Sequence, residues 1–161
     1  MIEFLLPGLK SLQNPHPLVV HFPIAFLLGA VFLYLLSVAV RREGVARSAF
    51  ACLLLGAVSA LVAMGTGLYA EEGVMVARSV RAALLEPHKS WMLAATGLSV
   101  VLALWAGWRR PMPQKGRVIF LILLAILGAV LAKGADYGGR MVYEYNAGGS
   151  ACPQPIELNK P

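Results

Sequence analysis

Long apolar stretches separated by short polar segments dominate the chain. A helix needs roughly 20 apolar residues to cross the hydrocarbon core of a bilayer, and the candidates are residues 18–40, 48–70, 90–108 and 117–133. The fourth stretch is the shortest, and it spans only if Lys133 extends its ammonium group to the interface. Because the first and second stretches, and the third and fourth, are joined by short connections, the pattern predicts an all-α integral membrane protein, a four-helix transmembrane bundle with up-down-up-down topology.

The segments outside these stretches differ from them in composition. Residues 1–133 are expected to contain the bundle, and residues 134–161 form a Gly/Pro-rich tail, in which Gly138 and Gly139 predict a turn into a short strand or cap. Residues 73–85 mix apolar side chains with two arginines. They predict either a short amphipathic helix lying on the outer surface or an ordered loop.

Composition excludes most soluble classes. Apolar residues make up 58% of the 161 residues and charged residues 14%, whereas soluble domains carry roughly 45–50% and 25%. A chain of this length cannot bury so much apolar surface by itself. A soluble enzyme, a disordered tail and a coiled coil are therefore excluded, and the excess apolar surface must face lipid.

The net charge of +6 is concentrated in two short connections. Their only acid is Glu43, and their bases are Arg41, Arg42, Arg47, Arg109, Arg110, Lys115 and Arg117. Acids and bases balance in the rest of the chain. The positive-inside rule makes the two connections cytoplasmic and both termini periplasmic. The positive charge thus has a topological explanation, and nucleic acid is not expected as a partner.

The three histidines converge on the opposite, outer end of the predicted bundle. His16 and His21 open the first span and His88 opens the third. Ionisable residues inside a membrane are expensive and are functional candidates by default. His21 is expected about one helical turn inside its span, and His16, next to Pro17, is expected at the rim.

Two neutral imidazoles from different helices are the axial ligands that a b-type haem requires. The sequence offers His21 with His88 as the preferred ligand pair for haem b, and His16 as a rim residue or alternate ligand. The basic residues that could pair with haem propionates at this end are Arg78, Arg81, Lys89 and Arg140. Two alternatives stay open. The histidines could only hydrogen-bond the backbone, or His21 and His88 could bind zinc or copper. The metal site is the weaker of the two, because no Asp or Glu lies beside His16 or His21.

Several motifs resemble one bacterial family. Residues 16–25, with the sequence HPLVVHFPIA, resemble the opening motif of the predicted membrane proteins grouped as DUF2231. The similarity continues through Thr66-Gly67 and His88 to residues 136–143, DYGGRMVY, and covers about residues 14 to 149. Met141 stands where the family usually has Leu, which is a mild departure.

The resemblance implies a place in membrane electron transfer, because family members are joined to or encoded beside Rieske-type and cytochrome c modules. The family's histidines match His16, His21 and His88. We therefore expect a protein of the bacterial inner membrane, with a bis-histidine haem near the periplasmic face. It would relay electrons between the quinone pool or a partner's haem and a periplasmic carrier. It is expected to be an electron-transfer component rather than an enzyme by itself. The alternative is a haem-free accessory or anchoring subunit of a larger membrane complex.

Overall fold

The chain folds into four long helices joined by short connections. The computed structural model describes residues 15–73, 77–145 and 147. Its helices are α1 (His16–Val40), α2 (Glu43–Gly73), α3 (Arg78–Arg109) and α4 (Arg117–Tyr145). Each is long and apolar enough to cross a membrane. The predicted all-α class and the four membrane-spanning helices are confirmed.

Three of the helices extend well beyond the apolar stretches that predict them. α2 begins at Glu43 and α3 at Arg78, and α4 continues to Tyr145 instead of ending at Lys133. Hydropathy marks the part of a helix that lies in hydrocarbon, but the backbone hydrogen bonds continue wherever a neighbouring helix packs alongside. Gly138 and Gly139 lie inside α4, so the predicted turn and strand are not formed there. The remainder of the tail, residues 148–161, lies outside the described residues.

The start of α3 packs against the end of α4, which explains why both helices are long. Residues Arg78–Val80 are α-helical, and a π-helical stretch, Arg81–Leu85, leads into the regular helix from Glu86. Val80, Leu84 and Leu85 are buried together with Met141 of α4. Residues 78–85 are therefore the first turns of a spanning helix and not a separate helix on the surface.

The four helices form a square bundle. α1 packs against α2, α2 against α3, α3 against α4, and α4 against α1, whereas the diagonal pairs make few contacts. Large core side chains include Leu27, Leu53 and Phe120, and the Phe120 ring meets the Tyr34 ring edge-on at 5.1 Å. Large apolar side chains on the outside, such as Phe32 and Leu104, are exposed. Such a surface is stable only against lipid.

The connections place two chemically distinct ends on the bundle. The α1–α2 and α3–α4 connections, within residues 41–47 and 109–117, form the base-rich end. There the Tyr34 hydroxyl of α1 donates a hydrogen bond to the Pro111 carbonyl at 2.8 Å, and Met112 is buried. The opposite end, which contains the starts of α1 and α3, is the histidine end. The antiparallel order of the helices thus places the two base-rich connections at the opposite end of the bundle from the histidines, as predicted.

Candidate functional site

His16 lies on the face of α1 that packs into the bundle. The buried residues of this helix, Pro23, Leu27, Ala30, Tyr34 and Ser37, follow each other at intervals of three and four. His16 is seven residues before Pro23, which is two helical turns, so it shares that face. Its half-buried ring contacts α2, where Nδ1 lies 3.1 Å from the Thr66 hydroxyl oxygen.

His88 makes the equivalent contact between α3 and α4. Its Nδ1 lies 2.7 Å from the carbonyl oxygen of Gly134. Four residues further along α4, Gly138 leaves room for the same imidazole ring, since a Cβ on Gly138 would lie 2.9 Å from Cε1 of His88. In the same way Gly67 leaves room for the ring of His16, since a Cβ on Gly67 would lie 2.9 Å from Cε1 of His16. Each histidine therefore rests over a glycine of the neighbouring helix.

The hydrogen-bond partner of His88 fixes which nitrogen of its ring carries the proton. A carbonyl oxygen only accepts, so Nδ1 of His88 donates to Gly134. In a neutral imidazole with a proton on Nδ1, Nε2 carries the lone pair, and this is the tautomer that metal-ligating histidines commonly adopt. The partner of Nδ1 of His16 is the Thr66 hydroxyl, which can donate or accept, and the ring also interacts with the Ala63 backbone.

The three histidines differ in burial. His16 and His88 are half-buried, on the diagonal helices α1 and α3. His21 is exposed, because it lies two residues before Pro23 and so about 200° around the helix from the buried face. The pair of His21 with His88 stays a prediction, and the burial of His16 makes that residue the other candidate partner of His88. His16 was expected at the rim because Pro17 was interpreted as the helix start, whereas the helix already includes His16.

The basic residues expected near a haem edge are mostly engaged with acids. Glu71 of α2 accepts from Arg81 at 3.2 Å and from Lys89 at 3.0 Å, which ties α2 to α3. Arg140 pairs with Glu144 one turn along α4, at 3.0 Å. Arg78 is exposed at the start of α3. Two bases, Arg81 and Lys89, thus share the Glu71 carboxylate, and Glu86 lies one turn before Lys89 on α3.

Sequence reasoning missed the residues that hold the histidines. Thr66, Gly134 and Gly138 position the rings together with Gly67, but none of these three was predicted to do so. The signal of Thr66 and Gly138 lay in the motifs, since Thr66-Gly67 and Gly138-Gly139 belong to the segments that carry the family resemblance, whereas Gly134 lies outside them. Within residues 15–73, 77–145 and 147, no group of three or more His, Cys, Asp or Glu side chains is arranged to hold a metal ion.

Comparison with known proteins identifies a family and no individual relative. A family described as "Predicted membrane protein (DUF2231)" matches residues 13–151. Neither the curated proteins nor the solved structures give a significant match. The matched region contains all three histidines, the glycines Gly67 and Gly138 that contact two of them, and the four helices. With most of its length matched, the chain belongs to the DUF2231 family of predicted membrane proteins.

Proposed function

We propose that the protein is a membrane-embedded b-type haem electron-transfer protein or subunit, in which His16 and His88 would hold the haem. The observation that carries the proposal is the placement of two half-buried imidazoles at one end of the bundle, each with its Nδ1 in hydrogen-bond contact with a neighbouring helix. In His88 the Nδ1 proton goes to a carbonyl, which leaves the Nε2 lone pair for a ligand. A bound haem would supply a reversible one-electron couple, whose potential depends on axial ligands, burial and hydrogen bonding.

The donor set fits a haem better than a bare metal ion. A macrocycle provides its own equatorial nitrogens and asks the protein only for axial ligands. Zinc sites take more protein ligands than two, and the described part of the chain assembles no third donor beside His16 and His88. Two imidazoles that approach from diagonal helices are therefore better suited to bis-histidine ligation than to a zinc or copper centre.

The surrounding residues would orient the ligands and balance charge. The Gly134 carbonyl accepts the Nδ1 proton of His88, and the Thr66 hydroxyl contacts Nδ1 of His16, which orients both rings. A hydrogen bond from Nδ1 to a carbonyl also raises the basicity of the ligating nitrogen. Arg81 and Lys89, which share Glu71, could pair with an anionic propionate.

The proposal includes a location and partners. By the positive-inside rule the histidine end faces the periplasm of a bacterial inner membrane. Electrons would then pass between the quinone pool or the haem of a partner subunit and a periplasmic carrier such as a cytochrome. The chain presents no pair of intramembrane carboxylates for proton transfer, so electron transfer is a better assignment than catalysis.

Optical spectra of detergent-purified protein, made with ample haem, test the proposal. We expect a Soret band and a reduced-minus-oxidised α-band in the wild type. His16→Ala and His88→Ala should abolish both bands. His21→Ala is the matched control and should keep them, because His21 is exposed on the other side of α1. A wild type without a Soret band, or loss of the bands in His21→Ala alone, overturns the assignment.

A second candidate is a haem-free accessory subunit that anchors a larger membrane complex. The packing of the histidines favours it, because the rings already fill the space over Gly67 and Gly138 and link adjacent helices by hydrogen bonds. In this case all variants are colourless, and His16→Ala and His88→Ala lower thermal stability more than His21→Ala. Purification in mild detergent should then recover stoichiometric partner subunits.

A further inference from the structure

The base-rich end contains an open cleft between the two connections of the bundle. Its volume is about 690 Å³. One wall comes from the end of α1 and the start of α2, and the other from the α3–α4 connection. Four arginines line it, namely Arg41, Arg42, Arg110 and Arg117. The cleft lies at the opposite end of the bundle from the histidines and plays no part in the function proposed above.

The arginines of the cleft lack acidic partners among the residues that the structure describes. Glu43 is the one carboxylate in the lining, and it accepts a hydrogen bond from Arg47, which lies outside the lining, at 2.7 Å. Arg110 donates only to a backbone carbonyl, that of Gly107, at 3.2 Å. Guanidinium groups gathered in a concave site repel each other and attract an anion. A topological signal alone would require basic residues in these loops but not their convergence on one cleft.

The walls are fixed by contacts inside the bundle, so the cleft exists before any ligand binds. The Tyr34 hydroxyl holds the Pro111 carbonyl at 2.8 Å, and Met112 and Pro113 are buried beneath the connection. On the opposite wall Ala46 is buried in the first turn of α2. The arginine side chains are exposed, so the backbone of the walls is the preorganised part, and it loses less entropy on binding than a loop that must order.

We propose that this cleft binds the phosphate group of an anionic phospholipid headgroup. Guanidinium forks match phosphate oxygens in two-bond geometry, and basic pockets between transmembrane helices are a recurrent headgroup site. The lining also contains apolar residues, Val38, Ala46, Pro111 and Met112, beside the arginines. A lipid presents both kinds of surface at this level of the membrane, whereas free phosphate presents only the charged one.

Native mass spectrometry of the full-length protein, titrated in detergent with phosphatidylglycerol, tests the proposal. Arg42→Gln/Arg110→Gln removes one cleft arginine from each wall. The matched control, Arg109→Gln/Lys115→Gln, removes the same charge from the base-rich end but leaves the lining and the Arg47–Glu43 pair intact. We expect the cleft variant to bind phosphatidylglycerol about tenfold more weakly or worse, since one lost charge-assisted hydrogen bond corresponds to at least that factor. The control should bind like the wild type.

Two further arms identify the source of the phosphate. Phosphatidylcholine, which has no net charge, should bind much more weakly than phosphatidylglycerol, and inorganic phosphate at equal concentration should not displace the lipid. Equal binding of the two lipids, equal loss in the control variant, or displacement by inorganic phosphate overturns the proposal. If the double variant is not monodisperse, Arg42→Gln and Arg110→Gln are each compared with Arg109→Gln and Lys115→Gln in the same titration.

Discussion

An imidazole ring resting over a glycine occurs twice at the histidine end, on different helix pairs. Small residues at helix interfaces in membranes allow backbones to approach closely. Here they also admit a polar ring, whose Nδ1 then meets a hydrogen-bond partner on the same neighbouring helix, Thr66 for His16 and Gly134 for His88. The glycines therefore let two costly polar groups enter the bundle with their hydrogen bonds satisfied.

Gly67→Ala and Gly138→Ala should lower the thermal stability of the purified protein. A Cβ at either position lies 2.9 Å from Cε1 of the imidazole, so the ring must shift away from its acceptor. Overpacking of this kind costs roughly 1–3 kcal/mol, while alanine gains up to about 1 kcal/mol of helix propensity. We expect a net loss of about 1–2 kcal/mol in the free energy of unfolding, measured by thermal unfolding in detergent.

Gly65→Ala is the control for this prediction. Gly65 is exposed on the same helix as Gly67, and a Cβ there meets nothing within 4 Å. Its substitution should be neutral or stabilising by up to about 1 kcal/mol. The same melting temperature for Gly65→Ala and Gly67→Ala would show that the position of the His16 ring does not depend on Gly67.

The choice between His16 and His21 illustrates what the sequence does not contain. In water, the apolar face of a helix marks the side that is buried. In a bilayer both sides are apolar, since Phe22 and Phe32 face outward on α1 while Leu27 faces inward. The sequence could therefore indicate that histidines gather at one end, but not which of them points into the bundle.

At the scale of elements, α1 and α2 form a close pair around Gly56. Alanines and this glycine provide most of the buried surface of α2, with Ala49, Ala57 and Ala60 in the core. A Cβ on Gly56 would collide with the Leu27 side chain and lie 3.1 Å from the backbone nitrogen of Leu27. A backbone atom cannot move aside as a side chain can, so the separation of the two helices depends on this glycine.

Gly56→Ala should consequently destabilise the bundle by about 1–3 kcal/mol, and more than either glycine substitution at the histidine end. The control is Gly29→Ala on α1, where an added Cβ meets nothing within 4 Å. Thermal unfolding in detergent compares the two variants. If Gly56→Ala were as stable as Gly29→Ala, the close approach of α1 and α2 would be contradicted.

Hydropathy predicts the centres of the helices but not their ends. The first span, residues 18–40, agrees with α1 within two residues. The third, residues 90–108, omits the first turns of α3, which hold polar residues and still bury Val80 and Leu84 against Met141. Gly138 and Gly139 were interpreted as a turn because glycine disfavours helices. Packing against α3 outweighs that preference, and it is visible only once the two helices are side by side.

For the molecule as a whole, the distribution of charge predicts the orientation in the membrane. Half of the 14 Lys and Arg residues lie in the two connections of the base-rich end, with Glu43 as the only acid. Charges counted in short loops direct the insertion of the neighbouring helices. We expect this end to face the cytoplasm, which would place the histidine end toward periplasmic redox partners and the arginine cleft against the cytoplasmic leaflet.

Cysteine labelling in intact cells measures this orientation. In a Cys52→Ser/Cys152→Ser background, Gln114→Cys reports the base-rich end and Ser79→Cys the histidine end, and both native side chains are exposed. A membrane-impermeant maleimide should modify Ser79→Cys directly, but Gln114→Cys only after permeabilisation, because the hydrocarbon core separates the two positions. Labelling of Gln114→Cys in intact cells would show that the protein has the opposite orientation. It would move the proposed haem to the cytoplasmic side while leaving the bundle and its paired histidines unchanged.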